Sequence, residues 1–249
     1  MTIKKKKVFS TETETHSNAN ELGLRKKFTP KDLISFYPLN DRQKDFFEAF
    51  NSNIPVIVQD GPAGTGKSIL SIYSALSQVF DPTTEYERLI VIRSAVETRG
   101  MGFLPGSLEE KMQVYEQPYV EIIKDIVKYK TAYDNMKALG VYEFMTTTYL
   151  RGLTFDNAII VVDEAQNADI KELSTIFTRI GRNSKIIING DSAQDDLARK
   201  REKSGFEHFK LILTHMPYEL RTQITYGFHD IVRSELVKQY IMAEASVTY

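Results

Sequence analysis

Four short apolar runs, each rich in β-branched residues, constrain the fold of this chain more than any other sequence feature. They read IPVIV at 54–58, RLIVI at 88–92, AIIVV at 158–162 and KIII at 185–188. Consecutive apolar positions over such short lengths are typical of strands that are buried on both faces. The segments between them have helical patterning. The sequence therefore predicts an α/β fold, with a mostly parallel central sheet and helices on both faces.

Weaker signals complete the predicted order of elements. Helices are predicted at 42–51, 67–80, 108–130 and 170–180, with a closing helix at 229–243. YEFMTTTY at 142–149 begins like a strand, and ITYGF at 224–228 is a further, weaker strand candidate. Residues 1–27 contain a lysine cluster and a polar stretch, which predicts a flexible basic and polar tail before a single domain over 28–249.

The composition excludes several classes of protein. The 32 Lys and Arg residues balance 33 Asp and Glu residues, and the net charge of −1 excludes a strongly basic nucleic-acid binder while allowing a local basic face. Without cysteine the chain has no disulfide and no cysteine-ligated metal, and its 4 histidines have no metal-binding spacing. No apolar run approaches the roughly 18 residues of a membrane span, and no secretory signal is recognisable. We expect a cytoplasmic protein without a membrane partner.

A glycine-rich loop follows the first apolar run and precedes a predicted helix. Its sequence GPAGTGKS matches the pattern G-x-x-x-x-G-K-[ST] in full and consists of Gly61, Pro62, Ala63, Gly64, Thr65, Gly66, Lys67 and Ser68. Glycines allow backbone angles that point successive N–H groups at phosphate oxygens, and the helix N-terminus adds partial positive charge. Lys67 is predicted to reach the β- and γ-phosphates of a nucleotide, and Ser68 to ligate Mg²⁺.

Two adjacent acids follow the apolar run at 158–162. Asp163 comes directly after four β-branched residues, which predicts a position at the carboxyl end of a buried strand. Open α/β sheets bind their ligands at that edge. Asp163 can hold Mg²⁺ there, directly or through water, and Glu164 can orient and deprotonate an attacking water. The simpler alternative is that both acids cap the helix that follows.

The strand predicted at 185–190 ends in a polar segment that contains Gln194. Gln194 is our candidate for sensing the γ-phosphate through the attacking water, with an ordinary loop amide as the alternative. Phosphoryl transfer also needs positive charge near its transition state. Seven arginines lie near predicted strand ends or helix starts, namely Arg93, Arg99, Arg151, Arg179, Arg182, Arg221 and Arg233. Their positions in the sequence do not distinguish among them.

In combination these motifs resemble the PhoH-like family, phosphate-starvation-linked ATPases related to superfamily 1 helicases. The matching segments are GPAGTGKS at 61–68, AVETRGMGFLPGSLEEK at 95–111, YLRGLTFDNAIIVVDEAQN at 149–167, FTRIGRNSKIIINGDSAQDDL at 177–197, SGF at 204–206 and DIVRSELV at 230–237. They extend over roughly residues 30–245. The resemblance implies a RecA-like P-loop NTPase core that uses ATP and Mg²⁺, in the cytoplasm of a bacterium or of a phage-infected host cell.

The family pattern also implies roles for individual residues. It agrees with the roles given above to Lys67, Ser68, Asp163, Glu164 and Gln194. It adds Gln43, which looks like the glutamine that reads the adenine base in related helicases. Arg233 looks like the arginine finger, with Arg179 as the second choice.

The chain departs from the family pattern at two positions. Ser94 follows Arg93 where the family usually has proline, and Ser68 stands where the family usually has threonine. Ser68 keeps the hydroxyl group that Mg²⁺ needs. Ser94 lies outside the predicted ATP site.

The resemblance implies partners as well. Superfamily 1 helicases usually place two RecA-like units in one chain, whereas the predicted domain has room for about one. A homo-oligomer, such as a ring, would complete the nucleotide cleft with an arginine from a neighbouring copy. Single-stranded RNA or DNA is the expected polymer, with Phe103, Tyr149 and Arg151 as candidate contacts. Ordinary core or loop packing is the alternative for the two aromatic residues.

Two functions remain open from the sequence. The first is an ATP-driven, helicase-like or translocase-like motor on single-stranded RNA or DNA. The second is a nucleotide-dependent binding or assembly switch without unwinding activity. The adjacent acids Asp163 and Glu164 favour real hydrolysis, whereas the net charge of −1 disfavours a dedicated polymer tracker. A small-molecule kinase is disfavoured because no lid motif is recognisable, and GTP use because no [NT]KxD motif is present.

Overall fold

The computed structural model describes residues 28–94, 108–150, 152–194 and 205–248. The predicted tail at 1–27 therefore lies outside the described residues, as do Phe103 and Arg151, two of the candidate nucleic-acid contacts. Within the described ranges, no helix is long and apolar enough to span a membrane.

Six strands form one sheet in which every neighbouring pair is parallel. The strands are β1 (Val56–Asp60), β2 (Arg88–Arg93), β3 (Tyr142–Thr146), β4 (Ala158–Asp163), β5 (Lys185–Gly190) and β6 (Arg221–Thr225). Their order across the sheet is β3-β2-β4-β5-β1-β6. The parallel sheet confirms the predicted fold class, and all strands place their carboxyl ends at the same edge.

The described residues also form seven α-helices, which cover both faces of the sheet. The helices are α1 (Asp41–Asn51), α2 (Lys67–Val79), α3 (Leu108–Ile126), α4 (Ala132–Ala138), α5 (Ile170–Phe177), α6 (Gly205–Thr214) and α7 (Glu235–Thr248). Buried residues of α1 to α4 belong to the core layer on one face, and those of α5 and α6 belong to the layer on the other.

Alternate residues of the central strands divide the core between these two layers. In β2, Leu89 and Val91 pack in the layer with α1 to α4, whereas Ile90 and Ile92 pack in the layer with α5 and α6. Successive side chains of a strand point to opposite faces, so a strand covered on both faces needs an apolar residue at every position. Burying each such side chain stabilises the fold by about 1.5–3 kcal/mol.

Helix α1 shows how local signals set the ends of an element. Asn40 precedes the helix in extended backbone, and its side-chain oxygen accepts the N–H of Gln43 at 2.9 Å, which caps the N-terminus. Phe46 and Phe50, one turn apart, are both buried in the core. At the other end the buried Lys185 donates its amine to the carbonyl oxygens of Phe50 and of the C-cap residue, at 2.5 and 2.9 Å.

The last strand differs from the prediction. It comprises Arg221–Thr225 rather than 224–228. Because β6 is an edge strand with only Ile224 buried, its sequence RTQIT contains no apolar run. The residues assigned to the strand's end instead form a turn, in which the N–H of Gly227 donates to the Asp230 carboxylate at 2.8 Å.

Two helix predictions also need correction, and one helix was missed. The helix predicted over 108–130 ends at Ile126, and α4 follows it as a separate element. The closing helix begins at Glu235 rather than at 229. Helix α6 was not predicted, although Phe206, Phe209 and Leu213 recur at helical spacing and are buried against the sheet.

The strand order fixes where a ligand can bind. Helix α2, which follows β1, packs on one face of the sheet, while α6, which follows the neighbouring β5, packs on the other. Adjacent strands whose connections leave on opposite faces open a crevice at their carboxyl ends, the usual ligand position in open α/β sheets. This crevice lies at the end of β1, where the glycine-rich loop begins.

The buried Lys185 amine makes the stability of the fold depend on pH. Burial lowers the pKa of Lys185 from its ordinary value of 10.5 to about 8. The unfolded chain therefore holds this proton to higher pH than the folded chain, so stability rises with pH between those two values. We expect the free energy of unfolding in urea to increase by roughly 1 to 2 kcal/mol between about pH 7.5 and 9.5.

Two variants check the assignment of this pH dependence. Lys185→Met should reduce the increase, because it removes the buried amine. Lys44→Met, at an exposed position of α1, should retain the increase of the wild type. A Lys185→Met variant with the wild-type pH slope would contradict the prediction.

Candidate functional site

The glycine-rich loop connects the end of β1 to the start of α2. Gly66 has a φ of +92° and directly precedes Lys67, the first residue of α2. This left-handed conformation favours glycine because a side chain is strained there. Gly61 is constrained by space, since a Cβ at that position would lie 2.5 Å from the carbonyl oxygen of Tyr226. The loop therefore meets the N-terminus of α2 in the arrangement by which backbone N–H groups bind phosphate.

The Lys67 side chain folds back into this loop. Its ammonium group donates to the carbonyl oxygens of Gly61 at 2.6 Å and of Pro62 at 2.9 Å. Burial lowers the pKa of Lys67, an effect opposed by the nearby carboxylates of Asp191, Asp163, Glu164 and Asp60. A buried amine whose hydrogen bonds go to neutral carbonyls is well suited to receive an anion such as phosphate.

Asp163 ends β4 with only 5% of its surface exposed. Three side chains donate to its carboxylate: the Ser68 hydroxyl at 2.9 and 3.0 Å, the Asn189 amide at 3.0 Å and the Tyr119 hydroxyl at 3.0 Å. These donors replace the water that an ionised carboxylate loses on burial. Burial, together with the negative charge of Asp163, raises the pKa of Tyr119 well above its ordinary value, so the phenol stays protonated and donates.

Ser68 and Asp163 fit a magnesium ion that carries nucleotide phosphates. Their hydroxyl and carboxylate oxygens are 2.9 and 3.0 Å apart, and Mg²⁺ prefers oxygen ligands. Proteins usually hold Mg²⁺ through one or two carboxylates together with substrate phosphates and water. The described residues contain no cluster of three or more acidic or histidine side chains that could hold a metal.

A row of buried polar side chains runs beneath the loop. Gln59 of β1 donates to the Asn189 oxygen and to the Ser71 hydroxyl, both at 2.8 Å, and accepts the Tyr226 hydroxyl at 2.6 Å. Asn189 lies beside Gln59 on the neighbouring strand and donates in turn to Asp163. The row thus connects the strand that leads into the glycine-rich loop to the strand that ends in the acid.

Glu164 is held beside Asp163 in an unusual backbone conformation. Its φ of +55° lies in the left-handed region, which costs a non-glycine residue about 1–2 kcal/mol. Gln166 donates to the Glu164 carboxylate at 2.7 Å and accepts the N–H of Asp191 at 3.1 Å. Burial and the adjacent Asp163 raise the pKa of Glu164, while Arg93 acts in the opposite direction. The higher pKa strengthens this carboxylate as a general base.

The turn that follows β5 is fixed to the start of the loop. The Ser192 N–H and hydroxyl donate to the Asp60 carboxylate at 3.0 and 2.7 Å, and Lys210 of α6 forms a buried ion pair with the same carboxylate. Gln194 lies in the short helical turn Ser192–Gln194, but its side chain lies outside what the structure describes. Its role as a γ-phosphate sensor therefore stays a prediction.

These groups line a cavity of about 560 Å³ at the carboxyl edge of the sheet. Its polar wall includes Lys67, Ser68, Asp163, Glu164, Gln166 and Asp191, and its apolar wall includes Phe36, Leu39, Ile122 and Val232. Arg233 lines the same cavity, and its Cγ would lie 3.0 Å from a Cβ added at Gly64. The preceding N–H, of Val232, donates to the Gly64 carbonyl at 2.9 Å. Arg233 is thus held beside the glycine-rich loop of its own chain.

Gln43, the predicted reader of adenine, lies buried behind the loop. Its amide nitrogen donates to the carbonyl of Thr65 at 3.0 Å, and its amide oxygen accepts the N–H of Leu39 at 2.8 Å. Both ends of the side chain therefore bind the protein itself and support the loop. Base reading by Gln43 stays a prediction.

Two other predicted residues lie away from the cavity. The carbonyl of Arg179 accepts the N–H of Phe155, which precedes β4, so Arg179 lies at the amino edge of the sheet. Tyr149 follows the outer strand β3 and is 44% exposed. The structure therefore brings together Lys67, Ser68, Asp163, Glu164 and Arg233, and it places Arg179 and Tyr149 elsewhere.

Three side chains that sequence reasoning missed complete the site. Gln166 bonds to Glu164, whereas Asn189 and Tyr119 bond to Asp163. Asn189 lies within an apolar strand and Gln166 lies three residues after one, so the sequence carried a usable signal for both. Tyr119 carried none, because only the packing of α3 against the sheet brings it to β4.

Comparison with known proteins matches most of this chain to one protein family. The profile of the family described as PhoH-like protein matches residues 35–244. A PhoH-like protein of Mycobacterium leprae is 34% identical over 209 residues, which cover 84% of this chain and 58% of that protein. Protein PhoH of Escherichia coli K12 is 30% identical over 218 residues, which cover 86% of this chain and 59% of that protein. The chain thus spans about three fifths of the length of these relatives.

A solved structure is similar at lower identity. The SWI2/SNF2 ATPase core of Sulfolobus solfataricus, in complex with double-stranded DNA, is 13% identical with a TM-score of 0.44. The match covers 81% of this chain and 46% of that chain.

The buried row makes Asn189 important for stability. Asn189→Leu would keep the side-chain size but remove one hydrogen-bond partner each from Gln59, Ser71 and Asp163. A buried hydrogen bond contributes about 0.5–1.5 kcal/mol net, and more when it reaches a charged group, so we expect the free energy of unfolding to fall by about 2–4 kcal/mol. Asn135→Leu on α4 should change it by less than about 0.5 kcal/mol. Urea denaturation measures both, and equal effects would contradict the prediction.

Proposed function

The chain belongs to the PhoH-like protein family, and from this premise we propose that it is a magnesium-dependent ATP hydrolase. The observation that carries the proposal is the pairing of Ser68 and Asp163 within 3.0 Å of each other, next to Glu164 and the buried Lys67. A phosphate-binding amine, two oxygen ligands and a candidate base around one cavity are the groups that hydrolysis of a nucleoside triphosphate requires.

In this proposal the glycine-rich loop and Lys67 bind the phosphates of ATP. The Lys67 amine exchanges the carbonyls of Gly61 and Pro62 for phosphate oxygens, which are better acceptors because they are charged. Ser68 and Asp163 hold the magnesium ion, which neutralises charge on the phosphates when it is bound. Phe36 and Leu39 offer apolar surface to the rest of the nucleotide.

Glu164 acts as the general base. The oxygen of a water molecule attacks the γ-phosphorus, the bond to the β–γ bridging oxygen breaks, and a proton of the water passes to the Glu164 carboxylate. Gln166 holds this carboxylate by the 2.7 Å hydrogen bond and thereby fixes its orientation toward the cavity. Burial, which raises the pKa of Glu164, favours the proton transfer.

Positive charge for the transition state comes, in this proposal, from Arg233 of the same chain. It lines the cavity, whereas Arg179 at the opposite edge of the sheet would have to serve a neighbouring copy. We propose a homo-oligomer, such as a ring, in which a neighbouring copy completes the nucleotide cleft that the described core lines on one side.

Single-stranded RNA or DNA is the proposed polymer, and Tyr149 supports this because it is exposed beyond the end of β3. The net charge of −1 favours the second candidate, a nucleotide-dependent binding or assembly switch without unwinding activity. The two functions differ in one measurable property. A motor hydrolyses ATP faster when its polymer is present, and a switch does not.

Glu164→Gln tests the proposed chemistry. The variant should bind ATP with Mg²⁺ as the wild type does, because the phosphate and metal ligands remain. Turnover should fall by about 10²–10⁴-fold, because an amide cannot take up the proton. Phosphate release with and without single-stranded RNA or DNA measures both catalysis and its stimulation, with Glu121→Gln on the exposed side of α3 as a matched control. Undiminished turnover in Glu164→Gln would refute the catalytic role.

Mixing inactive subunits distinguishes the roles of Arg233 and Arg179. Arg233→Ala should lose about 10³-fold or more in turnover, and mixing it with Glu164→Gln subunits should restore nothing, because each site uses its own Arg233. The exposed Arg182→Ala serves as the control. If Arg179→Ala instead loses turnover and regains it on mixing with Glu164→Gln, the finger is Arg179 and it comes from a neighbouring copy.

A further inference from the structure

The hydroxyl of Tyr119 contacts Asp163, the proposed metal ligand, from helix α3. This helix is separate from the glycine-rich loop and from the central strands. Tyr119 lies on α3 with 1% of its surface exposed. Its hydroxyl donates to Oδ2 of Asp163 at 3.0 Å. The ring packs against Phe144 of β3, with 5.7 Å between ring centroids. A side chain that served packing alone would not need this hydroxyl.

The other donors to Asp163 show what Tyr119 adds. Asn189 donates only to Oδ1, whereas Ser68 lies within 3.0 Å of both carboxylate oxygens. Ser68 is itself a proposed metal ligand, so its hydroxyl cannot be relied on to orient the carboxylate. Asn189 and Tyr119 remain, one on each oxygen, and together they define the plane of the carboxylate. Among the described residues, Oδ2 without the Tyr119 hydroxyl has no donor besides Ser68, the proposed metal ligand.

The same face of α3 also influences Glu164, through Arg93. Tyr115, one turn before Tyr119, lies beneath the Arg93 guanidinium, which is 5.7 Å from the centre of its ring. Arg93 is paired in register with Asp163, and its charge acts on Glu164. Helix α3 therefore acts on both acids: Tyr119 donates directly to Asp163, and Tyr115 packs against the arginine whose charge acts on Glu164.

We propose that Tyr119 is a positioning residue for the magnesium–nucleotide site, which orients the Asp163 carboxylate so that affinity for Mg²⁺ depends on how α3 is placed. This inference rests on the proposed function, because it assigns Asp163 to the metal. It adds an element, α3, whose position governs metal binding without contributing a ligand. Changing a group that orients a metal ligand typically weakens metal binding by about 10–100-fold.

Tyr119→Phe removes the hydroxyl and keeps the ring. The measurement is binding of a fluorescent ADP analogue at increasing Mg²⁺ concentration, with a parallel titration in the absence of metal. We expect the half-maximal Mg²⁺ concentration to rise about tenfold, the lower end of the usual range. Nucleotide binding without metal should stay near the wild-type value, whereas the thermal midpoint of unfolding should fall because Oδ2 of Asp163 loses a donor.

Tyr142→Phe is the matched control. Tyr142 is as deeply buried as Tyr119, and its hydroxyl has no hydrogen-bond partner among the described residues. Removing that hydroxyl should leave the Mg²⁺ dependence unchanged. The proposal is overturned if Tyr119→Phe behaves like the wild type, or if both variants shift the Mg²⁺ dependence equally, which would indicate a general loosening of the core.

A double-mutant cycle in the nucleotide-free protein separates this inference from the proposed function. Tyr119→Phe, Asp163→Ala and the double variant are compared by urea unfolding without nucleotide or metal. If the wild type fails to bind Mg²⁺ and nucleotide, the proposed function fails, and the positioning of a metal ligand fails with it. In that case, non-additive changes in the free energy of unfolding would show only that Tyr119 and Asp163 stabilise each other in the fold. Additive effects would overturn the inference even where the wild type binds nucleotide.

Discussion

The burial of the Asp163 carboxylate is the constraint on which the rest of this site depends. An ionised carboxylate that is 5% exposed is stable only if donors replace its lost water. The fold supplies them from three different elements: Ser68 from α2, Asn189 from β5 and Tyr119 from α3. The loss of any one donor leaves the carboxylate less well satisfied, and a buried oxygen with no donor at all costs about 1–3 kcal/mol. One carboxylate thereby fixes the relative placement of a strand and two helices.

The parallel sheet explains how such distant parts of the chain meet. Because β5 lies between β1 and β4, the polar side chains Gln59, Asn189 and Asp163 form a row across three neighbouring strands. Apolar residues fill the strand positions below this row, so the polar groups have few acceptors other than one another. Cooperative rows of this kind specify one arrangement of a core more sharply than apolar packing does. The same row also connects to β6 through Tyr226.

The sequence predicts those parts of the architecture whose signal is local in the chain, and it does not predict the contacts that arise only from packing. Strands such as β4 are readable because burial on both faces imposes an unbroken apolar run, whereas β6 has one buried residue and gives no such run. Lys67 and Asp163 are readable because loop and strand-end chemistry is local in sequence. Tyr119 is not readable, since its role arises from the packing of α3, and the position of Arg179 at the amino edge of the sheet is likewise set by the fold rather than by its sequence neighbours. Sequence patterns report the local environment of a residue, and they do not report which distant element faces it.

Ser94, where the family usually has proline, shows how the strained turn at Glu164 is held in place. The Ser94 hydroxyl lies 3.3 Å from a carboxylate oxygen of Glu172, which also receives the hydroxyl of Thr147 and caps the N-terminus of α5. Proline has no hydroxyl, yet Thr147 and the helix cap would still satisfy Glu172, so the serine adds a contact rather than replacing one. Glu172 thus fixes the start of α5 to the ends of β2 and β3, while Gln166 fixes the turn to the end of β5. With contacts on both sides, the left-handed conformation of Glu164 persists despite its cost of about 1–2 kcal/mol.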